Sequence, residues 1–143
     1  MPETIAPTQI NHLGIAVRNL EEALTIWRDG LGLTVERIVH LPERGLHIAF
    51  LPCGQTTIEL VAPAREDSEI SKFLAERGPG IHHVCLQYTD IAQAGRQAQD
   101  RGLRLLGEGP QLGAEGLPVR FAHPKSTAGA LVEMLEKVDV QGV

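Results

Sequence analysis

Asn11-His12-Leu13-Gly14-Ile15-Ala16-Val17, leading into Asn19-Leu20-Glu21-Glu22-Ala23, is restated 71 positions on as His82-His83-Val84-Cys85-Leu86-Gln87-Tyr88, leading into Asp90-Ile91-Ala92-Gln93-Ala94. His12 and His83 therefore occupy equivalent positions. At the same offset Ile48-Ala49-Phe50 meets Val119-Arg120-Phe121; three extra residues then shift the register, and Thr57-Ile58-Glu59-Leu60 meets Leu131-Val132-Glu133-Met134. Glu59 and Glu133 are equivalent too. A repeat on this scale implies two related half-domains, and one imidazole plus one carboxylate from each could build a metal site of two His and two Glu where they meet.

Around these stretches the chain reads as β-α-β-β-β, twice. The first half opens with a strand at about 11–17 and a helix from Leu20, where Asn19 is a good N-cap with Glu22 at the third helical position. Leu20, Ala23, Leu24, Trp27 and Leu31 keep the i, i+3, i+4 spacing of one buried face, and Gly30 with Gly32 stops the helix. Extended segments follow at about 34–41, 46–52 and 56–62, separated by the turn-like Pro42-Glu43-Arg44-Gly45 and Cys53-Gly54-Gln55. The second half has a strand at about 82–88, Asp90 as cap with Gln93 at the third position, a helix to Arg101 stopped by Gly102, and strands near 103–107, 118–122 and 130–135. These segments predict one α+β domain over residues 1–143, with modules at about 8–62 and 81–137 joined by a polar connector at about 63–80. Within the connector, Ser68–Arg77 is expected to be helical, with Ile70, Phe73 and Leu74 packing inward. The four glycines of 107–116 either turn a corner or let backbone approach a ligand closely.

Composition narrows the classes of function. A chain of 143 residues with 43% hydrophobic content can bury a core. A net charge of -5 with 3% aromatic residues gives neither a basic footprint nor a stacking platform, so no nucleic-acid partner is expected. No apolar run approaches ~18 residues and Met1-Pro2-Glu3-Thr4 does not open a signal peptide, so neither a membrane nor export is expected. Cys53 and Cys85 lack CxxC spacing, and a packing role suits Cys85 in its apolar strand. A reducing cytoplasm fits best.

Strand alternation decides which histidines can act as ligands. Leu13, Ile15 and Val17 form the face that the following helix covers, leaving His12, Gly14 and Ala16 on the other. Val84 and Leu86 match Leu13 and Ile15, so His82 falls on the covered side and His83 is the candidate ligand. Glu59 lies between Ile58 and Leu60, and Glu133 between Val132 and Met134. A carboxylate buried alone among such neighbours costs several kcal/mol or takes up a proton, and a divalent cation relieves that cost. Mixed nitrogen and oxygen donors without thiolate suit Co, Mn, Fe, Ni, Zn or Mg. Four protein ligands leave coordination positions open, which is catalytic rather than structural geometry.

With these residues in place, the repeat resembles the vicinal oxygen chelate, or glyoxalase/bleomycin-resistance, superfamily. Within it, Gly80-Ile81-His82-His83-Val84 and His123-Pro124-Lys125-Ser126 with Gly129-Ala130-Leu131-Val132-Glu133 resemble the methylmalonyl-CoA epimerases, and the likeness runs over about residues 8–137. The resemblance implies two tandem βαβββ modules forming a curved mixed sheet around a metal-binding groove. It implies a divalent ion, typically Co2+, with Mn2+, Ni2+, Zn2+ or Mg2+ as alternatives, held by His12, Glu59, His83 and Glu133. The position matching Glu59 is Gln in some relatives. It also implies a cytoplasmic homodimer that interconverts the two C2 epimers of methylmalonyl-CoA, an acyl-CoA substrate.

That chemistry suits the ligands. The C2 proton lies between a thioester and a carboxylate, and chelating both oxygens to a cation stabilises the enolate left when the proton departs. Inversion requires a proton-moving group on each side of the planar intermediate. By resemblance Glu133 is one. Some relatives place a glutamate on the strand that here reads Leu46-His47-Ile48-Ala49-Phe50, and aligning on Pro52 puts His47 there. His47 shares parity with Ala49, opposite Phe50, which is expected to aim it at the concave side, either as a proton shuttle or as a polar lining residue. Arg120, with the parity of Ala49, and Lys125 are candidate contacts for substrate carboxylate or phosphates, the alternative being solvated charge. Two other readings of the same site are a lactoylglutathione lyase and a non-catalytic drug-sequestering protein.

Overall fold

The computed structural model describes residues 3–138. It divides into two compact units, residues 12–82 and residues 83–138 together with 3–11. Each holds one of the two modules and builds a four-stranded mixed sheet.

In the unit 12–82 the order of elements is β1 (Gln9–Ala16), α1 (Leu20–Leu24), β2 (Arg37–Leu41), β3 (Leu46–Cys53), β4 (Thr56–Pro63) and α2 (Glu69–Arg77). The strands run β2-β3-β4-β1, antiparallel except for the parallel β1–β4 pair. Asn19 caps α1, its Oδ1 accepting from the Glu22 amide at 2.9 Å. Beyond Leu24 the helix widens into π-helical turns over Thr25–Gly30, with the Leu31 amide reaching back to the Ile26 carbonyl. Each such turn holds more residues than an α-helical one. Leu31 consequently leaves the buried stripe and is 60% exposed, a correction to the face expected from α-helical spacing.

The two faces of this sheet have different covers. Ile15, Val17, Ala49, Leu51, Leu60 and Ala62 pack against Ala23, Leu24, Leu20 and Trp27 of the first helix. On the opposite face Ala16, Leu46, Ile48, Phe50 and Val61 pack against Ile70 and Leu74 of α2. Ser68 caps α2 through the Ser71 amide, and Phe73 joins the same cluster from its half-buried position. The turn between β2 and β3 closes on Gly45, at φ 66°. Arg65 lies across it, donating to the Pro42 and Glu43 carbonyls.

The other unit contains β5 (Gly80–Tyr88), α3 (Ile91–Asp100), β6 (Leu105–Leu112), β7 (Pro118–Ala122) and β8 (Leu131–Glu136). Its strands run β5-β8-β7-β6, with β5–β8 parallel. Asp90 caps α3 through the Gln93 amide at 3.0 Å. Ile91, Ala94 and Ala98 of α3 pack on Tyr88 and Met134 with Leu86, Val132 and Leu105. Cys85, Val119 and Leu135, with Phe121, form the core of the other face. Between Leu106 and Gln111 the β6–β7 register slips, which places the glycine-rich stretch in an irregular ladder. Residues 3–11 belong here because Thr8 donates to the Gln87 carbonyl at 2.8 Å and the Ile5 backbone exchanges two hydrogen bonds with the Gln97 side chain. No helix among the described residues is long and apolar enough to cross a membrane.

Candidate functional site

Both matched pairs form, one in each unit. Glu59 stands at the middle of β4, across the parallel ladder from Gly14 and across the antiparallel ladder from Phe50. His12, two residues before Gly14, shares that face. Its Nδ1 lies 3.2 Å from Glu59 Oε2, and both side chains are 9% exposed. In the other unit Glu133 on β8 faces Cys85 on one side and Phe121 on the other. His83, two residues before Cys85, places Nε2 at 3.4 Å from Glu133 Oε1, with the side chains 12% and 11% exposed.

These are donor groups that could hold a metal ion, each pair one imidazole nitrogen beside one carboxylate oxygen. The donor chemistry fits a divalent ion of the Co, Mn, Ni, Zn or Mg kind. Burial makes the fit sharper. A carboxylate this buried among apolar strand residues calls for a cation or hydrogen-bond donors beside it. Of the two adjacent histidines, it is His83, the one alternation offers as a candidate ligand, whose ring lies beside Glu133. His82 instead sets its ring edge-on to Phe73 of α2, centroids 4.9 Å apart.

The expectation for His47 is corrected. In β3 the residues that share the Glu59 face are Leu46, Ile48 and Phe50, as both the register and the core clusters require. His47 has the parity of Ala49 and Leu51, which pack under the first helix. It stands on the reverse side of the sheet from Glu59, directly across from His40, with the two Nδ1 atoms 2.6 Å apart. Arg120 needs the same correction of face. It lies opposite Met134 in the ladder, on the side covered by α3. There it is 8% exposed and donates from Nη2 to the Gly107 carbonyl. Both corrections trace to Ala49, which does not face the site: in its strand both faces are apolar, so composition does not distinguish them.

Lys125 is exposed in a short 3-10 turn, Pro124–Ser126, and that turn is capped by His123, whose Nδ1 accepts from the Lys125 amide at 3.0 Å. His123 thus has a local structural task. Two aromatic neighbours of the site were not foreseen from the sequence. Phe50 stands opposite Glu59 and Phe121 opposite Glu133, so the repeat duplicates a Phe–Glu cross-strand pair as well as a His–Glu pair. The signal is present in the chain, since the offset that matches the histidines also matches Phe50 to Phe121.

Comparison with known proteins converges on one group. Residues 11–121 match the model of the Glyoxalase/Bleomycin resistance protein/Dioxygenase superfamily. The chain is 42% identical over 129 residues to the ethylmalonyl-CoA/methylmalonyl-CoA epimerase of Cereibacter sphaeroides, covering 88% of this chain and 96% of that one. It is 39% identical over 127 residues to the mitochondrial methylmalonyl-CoA epimerase of Mus musculus, covering 88% of this chain and 71% of the relative. A Streptomyces coelicolor methylmalonyl-CoA epimerase in complex with 2-nitronate-propionyl-CoA superposes with a TM-score of 0.86 at 30% identity, over 96% of this chain and 100% of the other. The repeated His–Glu pairs and these likenesses place the chain in the glyoxalase/bleomycin resistance protein/dioxygenase superfamily, among its methylmalonyl-CoA epimerases.

Proposed function

We propose that this chain epimerises methylmalonyl-CoA at C2 by removing the proton from one face and returning it to the other, with His12, Glu59, His83 and Glu133 together holding one divalent cation. The observation that carries this reading is the duplicated His–Glu pair, one in each unit at 3.2 and 3.4 Å, in a chain whose relatives are epimerases of that substrate. A divalent cation bound by the four would supply positive charge to the thioester and carboxylate oxygens as the C2 proton leaves. Glu133 is the residue proposed to move a proton, since a carboxylate can give up a ligand role to take one. The apolar strand residues beside it, with Phe121 opposite, exclude water from that exchange.

A second proton-moving group is required for inversion. It is not assigned to β3, because Leu46, Ile48 and Phe50 are what that strand presents on the Glu59 face. Co2+ as the ion, a homodimer as the assembly and the cytoplasm as the compartment belong to the same proposal, supported by the oxygen and nitrogen donor set and the family likeness. A lactoylglutathione lyase or a drug-sequestering protein is not favoured, since the relatives at 38–42% identity are named as epimerases.

Deuterium wash-in at C2 of methylmalonyl-CoA tests the proposal. The metal-loaded protein is expected to exchange the C2 proton and to interconvert the two epimers, and a chelator to stop both. Absence of exchange in the loaded protein overturns it.

A further inference from the structure

His40 and His47 take no part in the proposed epimerisation. They are directly opposed on the β2–β3 ladder. Their rings meet edge to face, with centroids 4.6 Å apart and planes at 83°, and the two Nδ1 atoms are 2.6 Å apart. Nitrogens that close share one proton: one ring carries Nδ1–H and the other presents its Nδ1 lone pair. The two strands therefore hold two imidazole nitrogens converging on a single point.

That arrangement is a chelate in waiting. A first-row transition ion bound to imidazole sits about 2.0–2.1 Å from each nitrogen. Two such bonds need the nitrogens a few tenths of an ångström further apart than they are, within reach of small χ rotations at an exposed site. The ring that now carries Nδ1–H shifts that proton to Nε2, so both Nδ1 lone pairs become available and no net charge changes on the protein. The Arg37 guanidinium does not oppose an ion here. Arg37, on the same strand as His40, has the opposite parity and lies over the Phe50 ring at 4.1 Å on the other face. Because His40 is exposed and His47 half-buried, the remaining coordination positions open to water.

We propose that His40 and His47 form a second, two-histidine site for a divalent transition ion, separate from the His–Glu pairs and lying on the opposite face of the β2-β3-β4-β1 sheet from Glu59. Two imidazoles with no carboxylate select borderline ions, Cu2+, Ni2+ and Zn2+, over Mg2+ and Ca2+. With only two protein ligands the ion exchanges readily, so this site fills and empties with free metal.

The test is equilibrium dialysis of the chelator-stripped full chain against Ni2+, with the bound ion counted for wild type, His40→Gln, His47→Gln and His12→Ala. Each of the first two substitutions is expected to remove one Ni2+ per chain, and His12→Ala to leave that ion in place. Circular dichroism confirms that each variant is folded. In the wild-type protein, Ni2+ is also expected to broaden the side-chain NMR signals of His40 and His47 together. Unchanged Ni2+ stoichiometry in folded His40→Gln and His47→Gln, or broadening of one ring without the other, overturns the proposal. Failure of the epimerase reading would instead appear as absent C2 exchange and leaves this result unaffected.

Discussion

Phe50 lies directly opposite Glu59 in the β3–β4 ladder, and the Arg37 guanidinium carbon sits 4.1 Å from the centre of its ring. The aromatic ring thus separates a guanidinium from a carboxylate while packing into the cluster beneath α2. Replacing Phe50 with Ala removes a side chain that is 3% exposed and is expected to cost about 3–5 kcal/mol. Urea denaturation measures it. A loss below about 1 kcal/mol would mean that the site collapses around the smaller residue.

Each His–Glu pair depends on both of its members. Removing one takes a nitrogen donor away from the carboxylate beside it, so His12→Ala and His83→Ala are each expected to abolish stoichiometric binding of the cation proposed for the four residues. They should also lower stability, by about 1–3 kcal/mol, the cost of leaving a buried polar group without its partner. Metal analysis of the purified variants checks the first part, and full retention of that metal in either variant would remove its histidine from the ligand set.

At Gly45 the backbone itself is constrained. Its φ is 66°, and a Cβ there would stand 2.7 Å from Arg65 Cγ and 2.9 Å from Arg65 Nε. Gly45→Ala is therefore expected to cost about 1–3 kcal/mol, combining left-handed strain with displacement of an arginine that ties the β2–β3 turn. In the double variant with Arg65→Ala the added cost of the alanine should shrink, because only the strain remains. Equal costs in both backgrounds would rule out the contact as a contributor.

Tyr88 couples folding to alkaline pH. Burial pushes its phenol above the usual 10.0. Well below that value folded and unfolded chains both keep the proton; near and above it the unfolded chain releases its proton first. This contribution to stability is therefore complete below the unfolded-state value and falls as the pH rises through it towards the higher folded-state one. Tyr88→Phe is expected to flatten the decline between about pH 9 and about pH 11 in urea titrations. An unaltered decline in that variant would assign the alkaline loss to other groups.

Much of this was legible in the chain. Asn19 and Asp90 both cap where their residue type and position indicate, because a cap is decided by one side chain and an amide three residues on. The His–Glu pairing follows from the repeat, since two copies of one module impose the same register twice. Facing is harder. Ala49 and Phe50 are both buried, so a strand covered on each side has no polar alternation to reveal which parity meets Glu59. His47 and Arg120 lie on the face opposite to the one their parity with Ala49 suggests. The π-helical widening after Leu24 is also invisible in sequence, because the apolar spacing of Leu24, Trp27 and Leu31 is that of an ordinary helix.

Ile5, Thr8 and Asn11 bond to Gln87 and Gln97, and residues 3–11 group with the unit that comes later in the sequence. The later unit is thus discontinuous along the chain, and it can be completed only after the whole intervening unit has been made. On a ribosome, this earlier segment must wait for partners that emerge more than 70 residues later, as the separations of 76 and 92 residues in these bonds require. The order of synthesis and the order of assembly differ for those residues. A polypeptide begun at residue 80 would lack the Thr8 amide that satisfies the Gln87 carbonyl, so the halves of the repeat are alike in plan and unequal in independence.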